Sequence, residues 1–185
     1  MASAVTDSPD RPQSPAEPLP VERIFRDHVS YVVHSLRRLG VREADVEDVA
    51  HEVFLVVHRR YADFDATRPL KPWLFGIAVR CAASFRRKAS TRRERSDDSL
   101  DETRAIPLGD EAPERAERRA IVLRALATVH ESRRPVLILH DLDGESMPDI
   151  AAELGIPLNT GYSRLRLARA EMREALLLLS RGELP

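Results

Sequence analysis

One cysteine, Cys81, is all the chain has, so no internal disulfide is available and no thiolate cluster can gather around a metal. A lone thiol suits a reducing cytoplasm. Uninterrupted apolar runs are also missing: Leu176 to Leu179 is the nearest approach, far short of what a bilayer needs. Residues 1–20 lack the basic start and apolar stretch of a secretory signal. These features predict a soluble cytoplasmic protein with no membrane insertion. Excess charge of either sign is lacking too, with 29 basic residues against 30 acidic ones. Any nucleic-acid role must therefore come from charge sorted along the chain rather than from bulk basicity. There is no phosphate-cradling glycine loop, no nucleophile elbow and no His-Glu zinc motif. His51 and His58 stand two helical turns apart, too far for a metal pair. We expect no catalytic residue, no cofactor and no metal.

What the chain does contain is helical patterning interrupted twice. Pro9, Pro12, Pro15, Pro18 and Pro20 sit among polar residues, which predicts a disordered tail over residues 1–20. From residue 21 to about 90, apolar residues recur every three or four positions, and no strand-like alternation is sustained. Residues 91–113 carry Asp97, Asp98, Asp101, Glu102, Asp110 and Glu111 with Pro107 and Gly109, which reads as an acidic linker. Helical patterning resumes over 114–180. The expected fold is all-α: two small helical domains on a flexible tether.

The second module holds a helix-turn-helix pattern. Ser146-Met147-Pro148-Asp149 has capping-box spacing, with a hydroxyl at the cap, proline in the first turn and a carboxylate three residues on. Gly155 can end that helix in the left-handed region, and Ile156-Pro157 restarts the chain at a new angle. At about 100° per residue, Leu158, Gly161, Leu165, Ala168, Met172 and Leu176 of the second helix share a face expected to pack inward. Tyr162, Arg166, Arg169 and Arg173 form a stripe beside it, and Asn159 and Ser163 flank its start, where a recognition helix meets base edges. Arginine offers forked donors to phosphate and guanine. Ordinary solvation of an amphipathic helix accounts for the arginines equally well when they are taken alone.

The first module carries two stretches of opposite sign. In "ADVEDVAHEVFLVVHRRYADFD", Val46, Val49, Val53, Phe54, Val56 and Val57 make a broad inner face, while Asp45, Asp48 and Glu52 fall together outside, next to Leu55. An acidic stripe with a leucine repels DNA and suits a basic protein partner, while for this helix taken alone an ordinary solvated carboxylate face is the simpler account. In "RPLKPWLFGIAVRCAASFRRKASTRRER", a helix starting at Pro72 turns Leu74, Ile77, Ala78, Cys81, Ala82 and Phe85 inward and aligns Trp73, Arg80, Ser84 and Arg87 outward. Arg80 to Arg95 holds seven basic residues, Lys88 among them, against one acid, Glu94. A flat apolar ring in line with cations fits an unstacked base and its backbone. A tryptophan at this place also plugs helix junctions.

Together these segments resemble the extracytoplasmic-function (ECF) sigma factors, two-domain initiation subunits of bacterial RNA polymerase. "DVEDVAHEVFLVVHR" is similar to their region 2.2, "RPLKPWLFGIAVRCAASFRRK" to regions 2.3 and 2.4, and "RRPVLILHDLDGESMPDIAAELGIPLNTGYSRLRLARAEMREAL" to region 4. The resemblance implies a protein that directs core RNA polymerase to promoters and performs no chemistry of its own. It implies that Asp45, Asp48, Glu52 and Leu55 face the clamp helices of the polymerase largest subunit. It implies that the loop 61–69 and Trp73, Arg80, Ser84, Arg87 and Lys88 engage the melted minus-ten element. Asn159, Thr160, Tyr162, Ser163, Arg164, Arg166, Arg169 and Arg173 would then read the duplex minus thirty-five element. An anti-sigma factor is a usual partner for the family. The chain departs from the common pattern at His51, where glutamine is usual, at Val79-Arg80, often an Arg-Asn pair, and at Gly161, Tyr162 and Leu167. Gly161 costs its helix roughly 1 kcal/mol against alanine. A stand-alone helix-turn-helix regulator is the main rival, and a helical adaptor that binds only protein is the other.

Overall fold

The structure is a computed structural model that describes residues 21–93 and 112–183. The proline-rich tail and all but the ends of the expected linker lie outside the described residues. Helix α1 spans Val21–Arg38, α2 Glu43–Arg60 and α3 Leu70–Arg93, with a single 3-10 turn, Tyr61–Asp63, between the last two. After the linker come α4, Pro113–Thr128, and α5, Arg134–Leu137, which continues into a π-helical turn at Ile138–Leu142. Helix α6, Met147–Leu154, and α7, Leu158–Ser180, complete the chain. No strand occurs among the described residues.

The first three helices pack because each offers an apolar stripe at helical spacing. Ile24, Val32 and Leu36 of α1 meet Val46, Val49, Val53 and Val57 of α2 and Leu74, Phe75, Ile77 and Ala78 of α3, all buried. Burying a side chain such as Leu74 or Phe75 stabilises the fold by about 1.5–3 kcal/mol each. Helix α3 begins two residues before the expected Pro72 and runs to Arg93. Cys81, expected on its inner face, is only half-buried.

The second module does not stand apart. Leu126, Val136, Ile138, Leu139, Ile150, Leu165 and Ala168 belong to the same continuous apolar cluster as the core of the first. Polar contacts also join the two modules. Asp143, just past the π-helical turn, accepts hydrogen bonds from Tyr31 Oη at 2.8 Å and Arg38 Nη1 at 2.9 Å. Its side chain is only 8% exposed, and a carboxylate so buried needs such partners. Burial, with Asp143 beside it, pushes the Tyr31 hydroxyl far above its usual range. Arg134 donates to the Leu39 carbonyl at 3.0 Å and, within its own module, to the carbonyls of Val129 and Ala127. The two helical modules of the sequence reading are present, and they share one core.

Candidate functional site

The acidic face of α2 is built by spacing. Asp48 and Glu52, one turn apart, are exposed, and Leu55 is half-buried beside them. Asp45 differs: its side chain is 16% exposed and accepts from Arg42 Nε at 2.7 Å. That ion pair closes the first turn of α2 and removes Asp45 from the free acidic surface. Asp48 and Glu52 border a groove of about 420 Å³ whose floor is Val49, Val56, Ile77 and Phe85. Its opposite wall, on α3, carries Arg80, Ser84 and Lys88. Acids and bases that the helical wheel assigns to separate helices therefore confront each other across one groove. Cys81 also lines it, and burial pushes its thiol up, so it is not a reactive thiolate.

The Trp73 row of α3 divides in two. Trp73 is half-buried, its ring centroid 4.8 Å from that of Phe64 and tilted to it by 43°, and Tyr61 stacks with Phe64 at 6.2 Å. The turn that presents Phe64 is shaped by Asp65, whose Oδ1 accepts from the Thr67 amide at 3.0 Å and the Thr67 hydroxyl at 2.7 Å. These bonds hold the Asp65 carboxyl below its usual range. Together Arg60, Phe64, Arg68, Trp73 and Arg80 line a cavity of about 290 Å³. Asp63, Asp65, Pro69 and Pro72 complete that side, and α6 supplies the facing wall through Asp149, Ala152 and Glu153, so four carboxylates line the cavity with the three arginines. Of the expected row, Trp73 and Arg80 thus meet at this cavity, while Ser84 and Lys88 join Arg80 at the groove. Arg87 is exposed further along α3.

The helix-turn-helix forms as its grammar requires. The Ser146 side chain accepts from the Asp149 amide at 3.3 Å and caps α6. Gly155 sits at φ 63°, and the next amide, Ile156, donates back to Ala151 at 3.0 Å, satisfying carbonyls that the helix end leaves open. Helix α7 then starts at Leu158 and exposes Asn159, Tyr162, Ser163, Arg166, Arg169 and Arg173; Thr160 and Arg164 are half-buried toward its flanks. Gly161 explains itself by contact. A Cβ there would stand 2.6 Å from Met147 Sδ, so the absent side chain lets α6 and α7 approach closely. Its neighbours on the inner face are Leu165 and Ala168, both buried, whereas Leu158 and Leu176, expected inside, are 43% and 39% exposed.

One arginine of the stripe already has a partner. Arg169 grips Asp141 with Nε at 2.8 Å and Nη2 at 2.6 Å. The bonds from Arg169, and then that from His140, hold the Asp141 carboxyl below its usual range. Neither this pair nor the Arg80–Glu153 contact, at 3.4 Å, was legible in the helical wheels, because each joins residues on different elements. The only sequence signal was unspecific: acidic residues at Asp141, Asp149 and Glu153 in an otherwise DNA-facing module.

Comparison with known proteins tests what this arrangement is. A Sigma-70 region 2 model matches residues 24–92, and a Sigma-70 region 4 model matches residues 119–172. The ECF RNA polymerase sigma-E factor of Escherichia coli (strain K12) is 31% identical over 146 residues, covering 74% of this chain and 76% of the relative. The chain belongs to the ECF sigma factors. RNA polymerase sigma factor NccH of Alcaligenes xylosoxydans xylosoxydans is 25% identical over 154 residues, spanning 81% of this chain and 83% of that one. Among solved structures, CnrH in complex with the cytosolic domain of CnrY aligns with TM-score 0.60 at 25% identity, over 84% of this chain and 86% of that one. The sigma factor RpoE bound to the anti-sigma factor NepR, from Bartonella quintana, has TM-score 0.70 at 23% identity, over 85% and 96% of the two chains, and likens the fold. This sigma factor binds core RNA polymerase and directs promoter-specific transcription initiation. A stand-alone regulator would leave the region 2 match without account. Within the described residues, no helix is long and apolar enough to cross a membrane, and no group of three or more His, Cys, Asp or Glu could hold a metal ion.

Proposed function

We propose that the sigma factor divides its work among three surfaces, acting in the cytoplasm and leaving all chemistry to the polymerase. Asp48 and Glu52, with Leu55, dock core polymerase; Asp45, tied to Arg42, shapes the start of that helix. The aromatic run Tyr61, Phe64 and Trp73, with Arg68 and Arg80, takes an unstacked base of the opened minus-ten strand, and Ser84, Arg87 and Lys88 follow its backbone. The exposed face of α7, from Asn159 to Arg173, lies in the major groove of the minus thirty-five element. The observation that carries this reading is the cavity in which the tilted Phe64–Trp73 pair and three arginines converge. The rings suit an unstacked base, and the arginines suit the backbone beside it.

The relatives of known structure were solved with an anti-sigma factor and with the cytosolic domain of CnrY. A protein inhibitor of that kind is the partner we assign to this chain when polymerase is not bound. The test mixes the purified chain with core polymerase and asks for promoter-dependent transcripts. Duplex binding by the chain alone, with no transcript, overturns the assignment in favour of a regulator. Asp48→Arg combined with Glu52→Arg should weaken capture of core polymerase about ten-fold or more while circular dichroism stays unchanged, since both side chains are exposed. Undiminished co-purification removes α2 from the docking surface.

A further inference from the structure

Away from the three surfaces, a cavity of about 270 Å³ lies where α1 meets α4. Its floor is Val122, Leu123 and Leu142, the last 43% exposed. His34, Arg37 and Arg38 stand at i, i+3 and i+4 of α1, while Arg118 with Val122 and Arg119 with Leu123 are each four apart on α4, so each helix turns one face to the cavity. No acidic side chain is among the lining residues. Carboxylates outside the lining hold two of the cations in place. Glu43 accepts from Arg37 Nε at 2.7 Å and from Arg37 Nη2, and Asp143 accepts from Arg38 Nη1 at 2.9 Å. Arg37 Nη1 remains buried and meets no hydrogen-bond partner among the described residues. Arg118 Nε donates to the Glu114 carbonyl at 3.1 Å, a neutral acceptor that leaves its charge available.

We propose that this cavity binds a small amphiphilic anion, a free fatty-acid carboxylate, with its head at the guanidiniums of Arg37, Arg38 and Arg118 and its chain along Val122, Leu123 and Leu142. The chemistry of the lining selects that class. Arginine carries donors and no acceptor. His34 Nδ1 faces the Ser30 carbonyl and so donates as well. One ring nitrogen of His34 apart, the lining side chains therefore offer donors and apolar surface only. A nucleobase, a sugar or a peptide backbone brings N–H or O–H groups that would lose water with nothing to accept them. A carboxylate on an aliphatic chain brings acceptors alone, and its chain gives exposed Leu142 an apolar neighbour. An oxygen that reaches Arg37 Nη1 also satisfies a donor buried without a partner, and a charge-assisted bond is the strong kind. Because α1 and α4 belong to different modules, an occupant adds to their packing and raises the thermal midpoint by mass action.

The test titrates the purified full chain with decanoate, kept below its micelle concentration, by isothermal calorimetry, and follows the thermal midpoint by circular dichroism. Decanoate should raise the midpoint and bind about ten-fold or more tightly than decanol, which has the chain without the charge. Leu142→Glu places a like charge on the floor, and Arg118→Glu reverses one on the rim. Both residues are exposed, so dichroism without ligand should match the wild type. Each exchange should weaken decanoate about ten-fold or more. Arg115→Glu, exposed on the same helix and outside the lining, is the control for general charge attraction and should change little. The site is overturned if decanol binds as well as decanoate, or if Arg115→Glu weakens binding as much as Arg118→Glu. It is equally overturned if GMP, or a peptide of sequence DDSLDE copied from residues 97–102, binds there more tightly than decanoate, which would assign the cavity to nucleotides or to acidic segments. The measurement uses neither polymerase nor DNA, so its failure leaves the polymerase and promoter surfaces standing.

Discussion

At the scale of single residues, charge matters less by its presence than by its partner. Asp45, Asp48 and Glu52 share a helical face by spacing, yet Arg42 claims the first and leaves the other two to solvent. Arg169 is likewise committed, to Asp141, although its stripe is expected to meet phosphate. Because the Asp141 carboxyl lies below its usual range, the pair stabilises the fold above the ordinary carboxylate range. That contribution is lost as pH falls through the depressed value. The pair is part-exposed, so its worth is about 0.5–1 kcal/mol. Asp141→Ala should cost no more than that in urea unfolding. It should also free Arg169 for DNA, strengthening duplex binding several-fold and steepening the log–log salt dependence by about one unit. Unchanged salt dependence would show that Arg169 never reaches phosphate.

Single helices were the most legible level. The serine cap, the proline in the first turn and the left-handed Gly155 all stand where local grammar puts them, because caps depend on a few neighbouring residues and not on the rest of the fold. Helix α7 shows where that grammar stops. Leu158 and Leu176 are exposed although they lie in line with buried Leu165, because which part of a helical face is covered depends on the helices that pack against it and not on its own spacing. Gly161 reads from sequence as a loss of helix stability, and the tertiary contact reverses that reading. Gly161→Ala gains about 1 kcal/mol of helix propensity but drives a methyl against Met147 Sδ. Overpacking of this kind costs about 1–3 kcal/mol. We therefore expect Gly161→Ala to lower the thermal midpoint, with Met147→Ala in the same chain removing the clash. A midpoint raised by Gly161→Ala alone would mean that Met147 yields freely.

For the whole molecule, the decisive fact is that two modules share one apolar cluster. The described chain should therefore unfold in one step, with far-ultraviolet dichroism and Trp73 emission giving coincident thermal curves; separate transitions would mean independent modules. The seam also has an alkaline signature. Tyr31 is held protonated by burial and by Asp143, so its folded pKa lies above the unfolded value of 10.0. The stability it contributes is fully present below about pH 10 and is lost as pH rises beyond that. Tyr31→Phe should cost about 1–2 kcal/mol near neutral pH, because Asp143 keeps only Arg38, and should flatten the alkaline decline. An equally steep decline in the variant would place the titrating group elsewhere.

Periodicity, caps and the order of the quoted segments determined by themselves that the chain is helical, that it ends in a helix-turn-helix and that it resembles a sigma factor. Each of these is written in residues a few positions apart, where helix geometry alone sets the neighbours. Only the tertiary structure decided which charges remain free. Arg80 with Glu153, Arg169 with Asp141 and Tyr31 with Asp143 are each joined across different elements, and a contact of that kind exists only once the modules have packed.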